Sequence, residues 1–472
     1  MKKTQSSIAG ERLNRIIEEI KKSGRNQLPP ESDLLNDIGV GRNTLRNVIG
    51  ELVDQGALRR IQGKGTFIVK QFRRIRFANW ASSELSPALF IDKLIHEFHE
   101  LYAEIEIENI KIPYHQYLEH ILNLLIRGDV LDVVQLTPFW LQYLQRFNLF
   151  HPLDTFISHE LINRRYPTAF SLGQINNSIY SINWALCPLV LYCNKTVLKK
   201  AGLDPDRPPR TLDELFDMAK RVGNCGHSVH GLALPFALYE LSFDCLYTFL
   251  LSFGGGFANS IGNVTIDCEA NLNALNWLRK LFEEGGIKKE QNLNGARVLF
   301  ASDHLAFMID GAQGRGYLRN LSGRGKDFDE NYSVVEMPVG ATGRSESVIL
   351  APALAISASC KNPESAYAWM EFLINNEDNA KLYFDQYGLI PCNRDTLNKP
   401  FFFIDPFASV LIRQLESASK SPVDHPLFLR AVPFMLQTFA RIIFENLEAS
   451  KGLEYLRQVI NMIGNSNVLP YS

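Results

Sequence analysis

Leu28-Pro29-Pro30-Glu31-Ser32-Asp33-Leu34-Leu35 opens a stretch that continues through Gly39-Val40-Gly41-Arg42-Asn43-Thr44-Leu45-Arg46 and closes at Gly63-Lys64-Gly65-Thr66-Phe67. Pro30 and Glu31 suit the first turn of a helix, where a missing N–H costs nothing and an acid meets the positive end of the dipole. Gly39 and Gly41 frame a turn. Leu45, Val48, Ile49, Leu52 and Val53 then recur at helical spacing and predict a buried stripe. That stripe turns Arg42, Asn43, Arg46 and Asn47 outward at the amino-terminal end of the helix. Gly56 stops the helix, and Leu58-Arg59-Arg60-Ile61 predicts a short strand before a glycine hairpin. The order is helix, turn, helix, wing. A DNA reader needs a rigid helix bearing long polar side chains and a loop thin enough to enter a groove. Arg pairs bidentately with guanine and Asn with adenine, and either holds phosphate. The candidate DNA-binding set is therefore Arg42, Asn43, Thr44, Arg46 and Asn47 on the helix, with Arg60, Lys64 and Gly65 on the wing.

Upstream, Leu13, Ile16, Ile17 and Ile20 predict one more amphipathic helix. Charge separates this module from the rest. Residues 1–76 carry 16 Lys or Arg against 8 Asp or Glu, and the remainder carries 33 against 43, although the whole chain nets only −2. A basic module on an acidic body points to a polyanionic partner for the module alone. At 472 residues the chain exceeds one ordinary core. Its 46% apolar and 21% charged residues are those of a globular protein. No apolar run follows Met1 and none reaches 18 residues, so neither a secretion signal nor a membrane span is expected. Seven cysteines form no CxxC pair, so neither a disulfide framework nor a zinc site is expected, and a reduced cytoplasm is the expected location.

The module resembles the winged helix-turn-helix domain of the GntR family of bacterial regulators. The family pattern runs L-P-S-E-R-x-L-A, V-S-R-x-T-V-R and G-x-G-T-F; here it reads LPPESDLL, VGRNTLR and GKGTF. The resemblance implies DNA contacts from Arg42, Arg46 and Gly65. Ser32 stands where the family has arginine, and Gly41 replaces a capping serine.

From residue 73 onward, Arg73 to Trp80 predicts a strand, followed by a helix bearing Phe90, Leu94, Ile95, Phe98 and Leu101. Ile105 to Ile110 alternates as a strand, Tyr114 to Ile126 is helical, and Gly128 to Leu136 is a turn with a buried strand. This βαβαβ order predicts a mostly parallel wound sheet, hence an α/β fold behind the small head. The body carries no GxSxG elbow, HExxH or Walker loop, Gly254-Gly255-Gly256 follows a helix rather than a strand, and His96 and His99 read as a solvated face. The expectation is no enzyme, no cofactor and no metal.

The body resembles the solute-binding proteins of sugar ABC importers, the maltose-binding-like group with a periplasmic-binding-protein type fold. Its landmarks recur in order: Phe98 to Ile107, Gly128-Asp129-Val130-Leu131-Asp132-Val133-Val134, Ile179-Tyr180-Ser181-Ile182-Asn183-Trp184 and Pro208-Pro209-Arg210-Thr211-Leu212-Asp213-Glu214-Leu215. They continue with Ala306 to Gly311 and Asn362-Pro363-Glu364-Ser365-Ala366. The resemblance implies two α/β lobes that close on a small ligand. Aromatic faces stack on sugar faces while polar groups fix hydroxyls. Candidate ligand residues are Trp80, Tyr117, Trp140, Trp184, Phe257 and Arg315, with Gln135, Asp310 and Glu346 as hydroxyl partners. Trp277 and Trp369 read as core. Together these readings give residues 1–72 as the DNA-binding head and 73–472 as a ligand sensor. The expected protein is a homodimeric regulator whose partners are double-stranded operator DNA and a small effector of the sugar class, with no membrane partner. An importer receptor and a sugar-acting enzyme are the alternatives.

Overall fold

The computed structural model describes residues 5–23, 26–54, 57–68, 73–82, 88–166, 170–226, 228–237 and 240–465. Gly56, Met1 to Thr4 and the boundary set at residue 72 lie outside them. By contacts the chain divides into two units: residues 1–75 with 97–107, and residues 76–96 with 108–472.

In the first unit α1 (Gln5–Lys22), α2 (Glu31–Ile38) and α3 (Arg42–Asp54) enclose a core of Leu13, Ile17, Leu34, Ile38, Leu45, Val48 and Ile49. Leu52 and Val53 pack against it half-buried. Gly39 closes α2 in the left-handed region (φ 68°), its N–H donating to the Leu35 carbonyl; a side chain there would be strained. β1 (Leu58–Ile61) and β2 (Gly65–Ile68) form the antiparallel wing, with Leu58 opposite Ile68 and Ile61 opposite Gly65. The segment before α2 pairs with the wing as well: Leu28 N–H donates to Thr66 O (2.9 Å) and Ile68 N–H to Asn26 O (2.7 Å).

β3 (Arg73–Asn79) and β4 (Ile105–Lys111) begin in the first unit and end in the second. α4 (Ala88–Leu101) connects them, and α5 (Tyr114–Ile126), β5 (Val133–Leu136) and α6 (Pro138–Gln145) follow. β6 (Gln174–Ile175) and β7 (Ser178–Ile179) make a hairpin turned by Asn176 and Asn177, both at positive φ. The chain then crosses between lobes. β8 (Ile182–Asn183) lies in the first lobe, β9 (Ala185–Pro188) in the crossing and β10 (Val190–Asn194) in the second lobe. The second lobe continues with β11 (His230–Pro235), β12 (Ile287–Glu290), β13 (Leu305–Asp310) and β14 (Tyr332–Val335). The chain returns through β15 (Ser347–Leu350) to β16 (Ala353–Ile356), and β17 (Ile390–Pro391) and β18 (Ala418–Ser419) come last.

The first-lobe sheet has the order β4-β3-β5-β16-β8 and the second-lobe sheet β12-β11-β13-β10-β14. Each is mixed rather than mostly parallel as the strand–helix alternation suggested. β3 runs parallel to β5, and β11 is parallel to β12 and β13, but β16 is antiparallel to β5 and β10 to β13. The crossings cause this: a strand that has just changed lobes enters the new sheet against its grain. The crossing strands form their own sheet, β17-β9-β15-β18, in which Ile349 faces Pro188 and Leu350 faces Cys187.

Helix Glu240–Ser252 is buried along nearly its whole length, as an all-round apolar helix should be. Helices Phe428–Phe444 and Ala449–Asn465 pack on Glu269–Glu283 in the second lobe. Among the described residues no helix is long and apolar enough to cross a membrane.

Candidate functional site

On the head, packing of Leu45, Val48 and Ile49 inward leaves Arg42, Asn43, Arg46 and Asn47 exposed and Thr44 half-exposed. Arg60, Lys64 and Gly65 are exposed on the wing. Arg46 is held by a two-pronged pair with Glu31 at the start of α2: Nε donates to Oε1 at 2.6 Å and Nη2 to Oε2 at 3.0 Å. The hydrogen bond and the guanidinium charge hold the Glu31 carboxyl below its usual range. Arg60 Nη2 reaches the Arg46 carbonyl at 3.4 Å, linking the wing to the helix. At the wing tip Gln27 Nε2 donates to Lys64 O at 2.7 Å. Gly63 (φ 75°) and Gly65 (φ 111°) make the tight backbone there.

On the body, a cleft opens between the lobes. Its first-lobe wall carries Trp80, Tyr114, Thr137 and Phe139, and its second-lobe wall Glu240, Asp244, Arg297 and Tyr317. Tyr383 and Tyr387 line a further side. An adjoining groove shares Tyr114, Glu240, Arg297 and Tyr317 and adds Trp140. The Trp80 and Trp140 rings meet edge-on at 5.5 Å, and Tyr114 lies 5.0 Å from Trp140. Tyr114 Oη donates across the lobes to Glu240 Oε1 (2.7 Å), as does Thr137 Oγ1 (3.2 Å). Burial pushes the Glu240 carboxyl up to about 8, against the hydrogen bond from Tyr114 and aided by the nearby Asp244 charge. Burial likewise lifts Asp244 to about 7, opposed by a hydrogen bond from Ser421.

Arg297 is fully committed within the second lobe. Asp310 binds it bidentately (2.7 and 2.9 Å), Asn294 accepts from Nη1 (2.9 Å), and the guanidinium lies 3.8 Å over the Tyr317 ring. Cys187, also in the lining, accepts from Ala312 N–H at 3.0 Å, and burial pushes its thiol up to about 12, so it is no nucleophile.

The model of the bacterial extracellular solute-binding proteins matches residues 81–380. The chain belongs to that family. Residues 5–68 match the model of the gntR family of bacterial regulatory proteins. A candidate binding protein of Brucella abortus is 22% identical over 319 residues, 66% of this chain and 74% of that one. An ABC transporter solute binding protein of Thermotoga lettingae, bound with alpha-D-tagatose, has TM-score 0.74 and 20% identity over 83% of this chain and 99% of that one. Maltose-bound MalE3 of T. maritima has TM-score 0.73 and 19% identity over 83% of this chain and 99% of that one. These likenesses show a solute-binding-protein fold with a winged-helix head.

Within this solute-binding body, Trp80 lines the cleft and Trp140 the adjoining groove. The other residues selected from the sequence lie elsewhere. Tyr117 is fully buried, its hydroxyl donating to Ala78 O at 2.7 Å. Gln135 is buried and spends its carbonyl oxygen on the Trp80 and Ala81 N–H groups. Trp184 is buried and stacks 4.4 Å from Tyr383, so Tyr383 rather than Trp184 meets the cleft. Phe257 is core against Phe428 and His425. Asp310 serves Arg297 from beneath the cleft. Arg315 bridges Asp329 (3.0 Å) and Asp405 (3.2 Å), and Glu346 lies 3.7 Å from Arg344. Sequence reading missed Tyr114, Glu240, Asp244, Tyr317 and Tyr383. For the acids a signal existed: they stand at i and i+4 on a helix otherwise apolar all round, where any charge must be buried.

Proposed function

We propose that this chain is a ligand-responsive transcriptional regulator of the cytoplasm. The head reads duplex DNA, and occupancy of the body's cleft by a small solute, a carbohydrate, sets its operator affinity. The observation that carries the reading is the joining, in one chain, of a gntR-type head with exposed Arg42, Asn43, Arg46 and Asn47 to a solute-binding body with an aromatic, polar cleft. Arg42, Asn43, Thr44, Arg46 and Asn47 enter the major groove, and Arg60, Lys64 and Gly65 hold the wing on the backbone. Trp80 meets the ligand in the cleft, and the buried Trp140, stacked on Tyr117, backs it. A coupling of roughly 1–3 kcal/mol between the two sites gives about a 5–150-fold switch in operator affinity. One winged helix covers little DNA, so two copies on a two-fold operator complete the binding unit.

Selection of duplexes from a random pool by the full chain, followed by titration with and without sugars that raise its melting temperature, tests this reading. Enrichment of a two-fold site, with affinity that moves on adding such a sugar, is the expected result. Failure to enrich any sequence, with sugar binding intact, leaves the second reading, a receptor for an importer, which the binding-protein relatives favour.

A further inference from the structure

The cleft holds two acids that have no basic partner among the described residues. Glu240 and Asp244 each expose 7% of their surface and line the cavity. Among the described residues, no Lys or Arg nitrogen forms an ion pair with either of them. The two bases in the lining are already taken: Arg297 by Asp310, and Lys420 by Asp424. Glu240 takes neutral hydrogen bonds from Tyr114, Thr137 and the Trp140 side chain. Asp244 receives Ser421 on Oδ1, and no partner reaches its Oδ2 among the described residues. That oxygen is left open to an incoming donor, and helix-mates four residues apart repel each other when both ionise. The missing element is a cation that arrives from outside. Around the acids stand Trp80, Tyr114 and Tyr317, aromatic faces that attract a positive centre as well as a sugar ring.

We propose that the ligand of this cleft carries a protonated amine, in the class of aminated sugars, and that Glu240 and Asp244 supply its counter-charge. The inference rests on the reading that the cleft binds a small solute. The ammonium donates to Asp244 Oδ2 and to Glu240, and the sugar ring stacks on the aromatic wall. An ammonium draws both acids into the charged form that burial disfavours, whereas an uncharged sugar offers them no counter-ion and binds less well.

Calorimetric titration of the full chain with matched probes tests this. D-glucosamine is compared with D-glucose and N-acetyl-D-glucosamine, the glucosamine disaccharide with its diacetylated form, and spermidine and choline serve as amines without a sugar. The amine-bearing sugar is expected to bind about tenfold or more tighter than its neutral counterparts. Glu240→Gln and Asp244→Asn, both near-isosteric and checked for an intact melting transition, should each erase most of that preference. Neutral sugars binding as tightly as the amines, or a preference that survives both substitutions, overturns the inference while leaving a sugar-binding cleft. Binding of spermidine or choline alone keeps the cationic ligand and overturns the carbohydrate class. No binding by any probe overturns both.

Discussion

Two arginine–carboxylate pairs of near-identical geometry sit at the two candidate sites, and their surroundings give them opposite meanings. Arg46–Glu31 on the head leaves its side chains 56% and 33% exposed; Arg297–Asp310 on the body leaves 4% and 0%. In water the first pair gains little and opens readily, so Arg46 is held in a pose from which a phosphate or guanine can take it over. The second pair has surrendered its hydration and cannot open without stranding a charge. The head keeps its cation available to a partner, whereas the body uses its cation internally and leaves acids facing the cleft.

The largest effect expected from breaking this contrast is at Arg297. Arg297→Ala strands Asp310 and should cost about 3–5 kcal/mol in chemical denaturation. Replacing both partners by apolar residues of matching volume should cost less than the single change, which is the signature of an uncompensated charge.

Next comes the pH response of the ligand-free protein. Glu240 and Asp244 titrate higher folded (about 8 and about 7) than unfolded (4.5 and 3.8), so the folded chain keeps protons that the unfolded chain releases. Their contribution to stability is therefore full below the unfolded values and is lost as pH rises toward 8. Glu240→Gln should flatten part of that fall in denaturation series taken from pH 5 to 8; an unchanged slope would sink the assignment.

A smaller change tests Tyr117, whose hydroxyl holds the Ala78 carbonyl under the cleft. Tyr117→Phe should cost about 0.5–1.5 kcal/mol of stability and leave ligand affinity unchanged.

The smallest effect on stability belongs to the exposed pair. Arg46→Ala should leave the melting temperature unchanged while weakening binding to a selected operator roughly 5- to 150-fold. Equal operator binding by the wild type and the Arg42/Arg46 double alanine variant would remove the head's face from the interface.

The same contrast explains what could be read in advance. The head's elements are local: a proline start, a glycine stop and one apolar stripe fix which side of α3 faces out, so its exposed residues follow from spacing alone. The body's alternation was equally legible, and so were its landmarks. Its cleft was not, because the lining comes from Trp80, Tyr114, Glu240, Tyr317 and Tyr383, residues that no short window contains. Motif position placed Trp184 beside the crossing, where it does lie, but a ring there faces inward between Phe90 and Tyr383. Asp310 ends a central strand, and its need for a partner was met from helix Leu293–Ala301, a contact between elements rather than a pattern within one.

The crossing sheet has a mechanical corollary. The body's first strand, β3, belongs to one lobe, and its last two helices pack on the other. The two ends of the body therefore ride on opposite arms of a lever whose fulcrum is the β9–β15 pair. A donor dye at the end of β3 and an acceptor on helix Ala449–Asn465 would test whether occupancy of the cleft moves one lobe against the other.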